Sequence, residues 1–513
     1  MSEDEIATTA RPPARTRAGE LATGAAAVLA ALAIAASSLL RLVIAGRQPL
    51  WLDETWTGAI AAQTSLGAFW RQVYLDVNAP FYYLVMHLWQ GLFGLSDVSL
   101  RLPSALFGAA APLAIAFAET PGLERAARLT WAALLALWIP GLWLSGDARC
   151  YTLLILLCTL QTLAFARLLG RPDLRGAVLW CGVSALAVLT HYHAVIPTAL
   201  EGLAYLALAR GKAVRTWPAA LLFLPAAAWM AFHAPRIAAF ADPAIAWYRL
   251  LRIDRLGRVA AYPIGTPDLA LTLLAIGAVA LVLGYALRNR RPAPPRRPTL
   301  PLWIAFGLAL LGAAIVVGLG FLRPSFTDRY LVPFVPALLL GVALATQALS
   351  RRLALTYAVV VAAAAGFVVP WAWTEMRSGW RYYNWEQASQ DLMRGRPERL
   401  VFVWDHPASR ILEPDQLEAV GGFFFRRAGQ PVAVRSVTLA ADVDPNPILA
   451  AAAKGPRTAI IWAYDRGVLG AAARRFVPRL SELDPTLVCR NYARGSVGVL
   501  ACDHLGSVKT TRP

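Results

Sequence analysis

The stretch "APFYYLVMHLWQGLFGL", Ala79 to Leu95, decides how the rest of the chain is threaded. It is apolar, but it falls short of the ~20 residues that a helix needs to cross a hydrocarbon core of ~30 Å. Counted as a span, it would put the basic run "RNRRPAPPRRP", which begins at Arg288, on the outer side of the membrane. Basic loops stay on the cytoplasmic side. The aromatic content of the stretch suits the water–lipid boundary, so the expectation is an amphipathic helix lying along the outer interface.

With that helix removed from the count, eleven apolar windows remain, near 22–45, 102–118, 129–146, 150–166, 176–192, 194–209, 216–232, 269–287, 300–321, 331–349 and 353–373. Placing the N-terminus in the cytoplasm then makes every inner loop basic: Arg125 and Arg128; Arg167, Arg171 and Arg175; Arg210, Lys212 and Arg215; the Arg288 run; Arg351 and Arg352. The first window is too long for a signal-peptide core and no small-residue cleavage site follows it, so it is read as a retained span. The predicted architecture is a polytopic α-helical membrane protein of about 11 transmembrane helices plus interfacial helices. Its parts are a cytoplasmic tail over 1–20, a transmembrane unit over 21–374 with a long first outer loop at 46–101, and an external α/β domain over 375–513.

Composition agrees. Of 513 residues, 58% are hydrophobic, and the mean hydropathy is +0.50, well beyond what a soluble core uses. A formal charge of +18 would suit nucleic acid if it formed one patch. It is divided among loops instead, which excludes that class of partner. In the tail, "RLVFVWD", "TAIIWAY", "LVCRNY" and "VGVLAC" read as strands, with "ILAAAAKG" and "GVLGAAARRF" as helices between them. Cys489 and Cys502 fit either a disulfide between paired last strands or two free thiols, and no cysteine spacing resembles a zinc site.

The chemistry-bearing residues gather at the outer ends of the spans. "PLWLDETWT" puts Asp53 and Glu54 just beyond the first span, bracketed by Trp51 and Trp56. Paired acids at a helix start are also ordinary caps, but an apolar wall raises a carboxylate's proton affinity and suits it to general-base work. "DVNAPFYY" supplies Asp76 and Asn78, and Arg101 stands at the mouth of the next span. "WLSGDARCYTLL" supplies Asp147, Arg149 and Tyr151, which fit either a capped turn with a local ion pair or a second acid on the same face as Asp53. "LTHYHAV" brings His191 and His193. Residues two apart on a helix point to different faces, which makes them a poor metal pair, so one is expected to meet substrate or metal and the other to pack. Glu201 lies inside an apolar segment and needs a partner or a cavity. "LRPSFTDRYLVPFVPALL" adds Arg323, Asp328, Arg329 and Tyr330, where an arginine either snorkels or forks onto a phosphate. The outer loop 233–268 carries Arg236, Arg249, Arg252, Arg255 and Arg258, an exception to the charge rule for which an anionic ligand is one reason.

Taken in order, "WLDETWT", "NAPFYY", "LRLPSALFG", "SGDARCYTLL", "THYHA" and "DRYLVPFVP" resemble the motif series of the GT-C membrane glycosyltransferases related to protein O-mannosyltransferases and to the aminoarabinose lipid A transferase. The resemblance covers roughly the first 350 residues. It implies transfer of a sugar from a polyprenyl-phosphate carrier to an acceptor at the outer face of a bacterial-type inner membrane. The first-loop acid of that family falls on Asp53 with Glu54 as its partner, and the second on Asp147, with Arg149 and Tyr151 matching its "aR.Y" pattern. Asn78, Ala79 and Pro80 stand where relatives often have His-Pro-Pro or Lys-Pro-Pro, which puts a metal or phosphate contact there in doubt. The motifs fix no cofactor. A divalent cation near the acids is compatible with the resemblance, but no ligand spacing demands one and the metal stays unassigned. Donor sugar and acceptor are unreadable. A transporter or flippase of a lipid-linked glycan is the alternative, although such proteins carry polar sites at the midplane rather than at one face.

Overall fold

A computed structural model describes residues 17–46, 49–243, 250–265, 299–349, 353–377, 385–404, 411–438, 457–463, 487–494 and 497–504. The helices are α1 (Arg17–Ala45), α2 (Leu52–Ala61), α3 (Leu66–Leu75), α4 (Pro80–Phe93), α5 (Asp97–Phe117), α6 (Arg125–Leu137), α7 (Ile139–Leu144), α8 (Tyr151–Gly170), α9 (Leu174–Thr190), α10 (Val195–Ala209), α11 (Gly211–Thr216), α12 (Leu224–Phe240), α13 (Leu256–Ile264), α14 (Leu300–Leu322), α15 (Val335–Leu349), α16 (Leu353–Arg377), α17 (Trp385–Arg394), α18 (Pro414–Gly421) and α19 (Phe423–Arg427). Among the described residues six helical stretches are long and apolar enough to cross a membrane: Ala27–Ala45, Asp97–Phe117, Tyr151–Gly170, Gly211–Phe240, Leu300–Leu322 and Asp328–Gln347. Leu174–Thr190 and Val360–Glu375 are shorter apolar helices. The window at 269–287 lies outside the described residues.

The window at 129–146 departs from the expected single span. Helix α6 stops at Leu137, Trp138 turns extended (φ −63°, ψ 110°), and α7 begins with a proline in its first turn. Pro140 has no N–H to give to a preceding turn, which suits it to a fresh helix start. Trp138 is buried at the break, and its Nε1 donates to the Tyr262 carbonyl at 2.8 Å.

Helix α4 is the decisive stretch. Its 14 residues reach only about 21 Å at the α-helical rise, too short for the core of a bilayer. Pro80 opens it and Gly94, at φ 76°, closes it. Tyr82, Tyr83 and Met86 face the protein while Leu88, Leu92 and Phe93 are exposed, the two-sided pattern of an amphipathic helix.

The core of the helical unit joins α1 to α5, α6 and α16, and α8 to α5 and α9. Trp131 is fully buried within it and donates to the Pro336 carbonyl at 2.8 Å. Beyond the helices runs a five-stranded sheet in the order β2-β1-β3-β5-β4. Its strands are β1 (Arg399–Trp404), β2 (Ala433–Thr438), β3 (Thr458–Ala463), β4 (Leu487–Arg494) and β5 (Val497–His504). Strand β1 pairs parallel with β2 and β3, and β5 antiparallel with β3 and β4. Four strands fall on the runs read from the sequence. The edge strand β2 was not read, because "AVRSVT" carries too few large apolar residues to stand out. The register sets Cys489 opposite Cys502. "ILAAAAKG" and "GVLGAAARRF" lie outside the described residues.

Candidate active site

Helix α2 builds the site from a short-range rule and a long-range one. Glu54 stands at the third position of the helix and accepts from the Trp51 N–H at 3.1 Å, which closes the first turn. The same carboxylate is fully buried and is gripped by Arg101 of α5, Nε to Oε1 at 2.6 Å and Nη2 to Oε2 at 2.5 Å. It also accepts from the Ala148 N–H at 2.8 Å, while Arg101 gives a further bond to the Pro49 carbonyl at 2.9 Å. Glu54 and Arg101 are thus engaged with each other and with backbone groups, and neither side chain is exposed. Together they lock the first loop to the turn that carries Asp147 and Arg149.

Asp53 has the opposite setting. It is the one residue of α2 that is not buried, and its carboxylate has no hydrogen-bond partner among the described residues. Arg149 approaches from the α7–α8 turn and donates to the Asp53 carbonyl at 3.3 Å. Arg329, from the 3₁₀ turn Asp328–Phe334, lies over the Tyr151 ring at 5.5 Å. Both guanidiniums sit within electrostatic reach of the Asp53 carboxylate and of each other, and Arg329 also feels Asp147. Asp147 itself is wholly buried in the tight turn, where its carbonyl accepts from the Arg149 N–H at 2.8 Å.

On the next side, Asp76 ends α3 and accepts from the Val77 N–H at 2.8 Å, from Asn78 Nδ2 at 3.1 Å and from the Tyr83 hydroxyl. Burial and the adjacent Asp76 carboxylate push the Tyr83 phenol well above its ordinary range, which keeps it a donor. Asn78 therefore serves the wall of the site through Asp76 and Tyr83. Tyr82 pairs with Ser104 at 3.1 Å, and Ser104 donates to the Arg149 carbonyl at 3.3 Å. Tyr82, Tyr83 and Ser104 were not singled out from sequence, since nothing local tells which aromatic of α4 faces inward.

The two histidines meet where helical periodicity separates them. Helix α9 ends at Thr190, His191 is extended (φ −159°) and Tyr192–Ala194 form a 3₁₀ turn. Both rings consequently reach Tyr330, His193 stacked at 3.8 Å and His191 at 5.7 Å, with His191 also 5.8 Å from Tyr151. Burial, then His193 and the two arginines, holds His191 well below its ordinary value, and burial pushes His193 down to about 4. Both imidazoles are neutral near pH 7. A cation fits this donor set poorly: no three His, Cys, Asp or Glu side chains converge among the described residues, and the open carboxylate faces two guanidiniums. Asp53 is the partly accessible acid of this set, and the two guanidiniums within its electrostatic reach are groups that can meet an anion.

The basic loop is largely spoken for inside the protein. Arg236 donates to the Leu75 carbonyl at 2.8 Å, Arg252 pairs with Asp254 at 3.0 Å, and Arg255 and Arg258 lie within electrostatic reach of Asp328. Arg249 lies outside the described residues. Glu201 is remote from the site. It accepts from Trp180 at 2.7 Å and Gln161 at 2.9 Å, the partners its burial requires.

The helical unit, with its polar groups at one end and joined to a sheet-bearing tail, shares its fold with solved structures. In particular, the chain is similar to ArnT from Cupriavidus metallidurans in the apo state, with a TM-score of 0.57 and 15% identity over 92% of this chain and 97% of that one. It is similar to the same protein bound to undecaprenyl phosphate, with a TM-score of 0.54, 16% identity and the same coverage. The oligosaccharyltransferase of Archaeoglobus fulgidus, in complex with Zn and sulfate, gives 0.47 and 12% over 91% of this chain and 72% of that one. No protein-family model matches the chain and no curated protein matches it.

Proposed function

We propose that the protein is an inverting glycosyltransferase that moves a sugar from a polyprenyl-phosphate donor to an acceptor at the outer face of a bacterial-type inner membrane. The observation that carries this reading is the isolation of Asp53, the lone accessible residue of α2, opposite Arg149 and Arg329. The undecaprenyl phosphate bound to the ArnT structure of the same fold supports a lipid phosphate as the anion.

In this mechanism Asp53 takes the proton of an acceptor hydroxyl. The acceptor oxygen bonds to the anomeric carbon as the bond from that carbon to the phosphate oxygen breaks, and the electron pair leaves with the lipid phosphate. Arg149 and Arg329 stabilise its charge, because fixed guanidiniums need no reorganisation as the charge develops. Tyr151, Tyr330 and the neutral His191 and His193 line the sugar's side. Glu54 and Arg101 are positioning residues, and Asp147 supports the Arg149 turn. The N-terminus is cytoplasmic and the tail extracytoplasmic.

Purified protein given labelled undecaprenyl-phosphate sugars and a panel of hydroxyl acceptors is expected to release undecaprenyl phosphate. Movement of the intact lipid across liposomes without release would favour a flippase and overturn the enzyme. A reporter at Arg290 is expected to read cytoplasmic, and an external reading would overturn the orientation.

A further inference from the structure

The tail touches α2 on the face behind Asp53. Gly58 lies one turn beyond Glu54 on the same face, and a Cβ placed there would sit 2.7 Å from Cζ and 2.9 Å from Cε2 of Phe423. Phe423, at the start of α19, is 1% exposed. A second contact comes from β1, whose last residue Trp404 meets Trp56 edge-on at 5.5 Å. The third is Arg427, which donates to Asp97 at 2.5 Å, to the Leu95 carbonyl at 3.4 Å and to Glu386 of α17, over the Phe424 ring at 4.8 Å. Asp97 is one helical turn before Arg101, the residue that grips Glu54. Phe423 thus presses on α2 directly, and Arg427 holds the end of α5 that anchors the other side of α2. The exposed pairs of Arg71 with Glu413 and Asp415, both at 2.8 Å, also join tail to helices, but solvent-screened pairs fix position weakly.

We propose that Phe423 and Arg427 are positioning residues for the transfer site: the tail sets how far α2 projects Asp53, through aromatic contact at an obligatory glycine and an arginine clasp on the first turn of α5. This rests on the reading of Asp53 as the base. A tail serving only acceptor capture would have no reason to seat a buried aromatic against the helix of the catalytic acid. Glycine is required at 58 because any side chain there displaces α2 or Phe423, and Phe423 is packed on all sides.

The test is a size exchange. Gly58→Ala is expected to lower kcat for undecaprenyl-phosphate sugar about 100-fold, the scale of an ångström's misplacement, with KM little changed. Phe423→Leu in that background, which opens the space, is expected to recover most of the loss, and Arg427→Lys to do less harm than Arg427→Gln. A Gly58→Ala protein at the wild-type kcat, or a double variant as slow as the single, overturns the proposal. Hydrogen exchange of residues 52–61 separates this idea from the enzymatic one. If even the wild type fails to turn over, the catalytic reading falls, while faster exchange in Gly58→Ala, reversed in the double variant, still supports positioning and unchanged exchange still overturns it. Should Gly58→Ala not fold, Phe423→Ala is read the same way: faster exchange confined to 52–61 supports the proposal, and unchanged exchange overturns it.

Discussion

Glu54 with Arg101, and Asp53 with Arg149 and Arg329, put the same two residue types side by side and use them in opposite ways. In the first group every carboxylate oxygen is bonded, no surface is exposed and the charges cancel at contact. In the second the carboxylate keeps its lone pairs, remains partly accessible and lies within electrostatic reach of two guanidiniums. One helical residue of offset, about 100° of rotation, separates a lock from a reactive group. The difference teaches that an acid's role here follows from how completely its acceptor capacity is filled, and only secondarily from its place in a motif.

The largest expected effect is on Asp53. Asp53→Asn keeps the shape and removes the base, so turnover should fall about 100- to 10,000-fold, with a thermal midpoint in detergent unchanged. A comparable fall in stability would mean that Asp53 is a second lock and would collapse the contrast. Next come the locks. Arg101→Ala or Glu54→Ala strands a buried charge, which costs about 3–5 kcal/mol; denaturant unfolding should register that loss, with activity disappearing alongside it. Near-native stability would instead show that water reaches the pair. Smaller again are Arg149→Lys and Arg329→Lys. Each keeps its charge but gives up the planar fork, and each should weaken binding of undecaprenyl phosphate about tenfold, measured by tryptophan quenching in detergent. Equal affinity for both variants and wild type would remove the arginines from the phosphate.

Much of this arrangement was readable in the chain. Asp53, Asp76, Asp147, Arg149, Tyr151, Arg329 and Tyr330 each follow or precede an apolar run in the sequence, and the fold brings them near one another. What was not readable depended on distance or on where helices stop. The bond from Arg101 to Glu54 spans 47 positions, so an Asp-Glu pair looks the same whether either member is saturated. Helical periodicity separates His191 and His193, but α9 ends at Thr190 and the extended His191 lets both rings reach Tyr330. The partners of α2 in the tail, Trp404 and Phe423, stand more than 340 residues away, in a segment with no periodic signature of contact.

Glu386 provides the intermediate case and the smallest effect. It shares Arg427 with Asp97, and it is neither sealed like Glu54 nor open like Asp53, since 17% of its side chain stays exposed. Burial, then the neighbouring Asp97 carboxylate, raises Glu386 from 4.5 to about 7, with Arg427 pulling the other way. The folded state therefore holds the proton to higher pH than the unfolded chain does. Between pH ~4.5 and ~7 the native protein binds more protons, so stability falls as pH rises across that window and is level on either side. With the solvent screening of a partly exposed group taken into account, the loss should be about 1–2 kcal/mol. Glu386→Gln keeps a donor toward Asp97 at every pH, so the variant should match wild type at pH 5, exceed it at pH 8, and show no slope between. Because Arg427 belongs to the clasp behind α2, the same variant should also level the acid side of the kcat profile while leaving KM alone. A pH-independent wild-type midpoint would mean that Arg427 already neutralises Glu386 as fully as Arg101 neutralises Glu54, and the intermediate case would become a third lock.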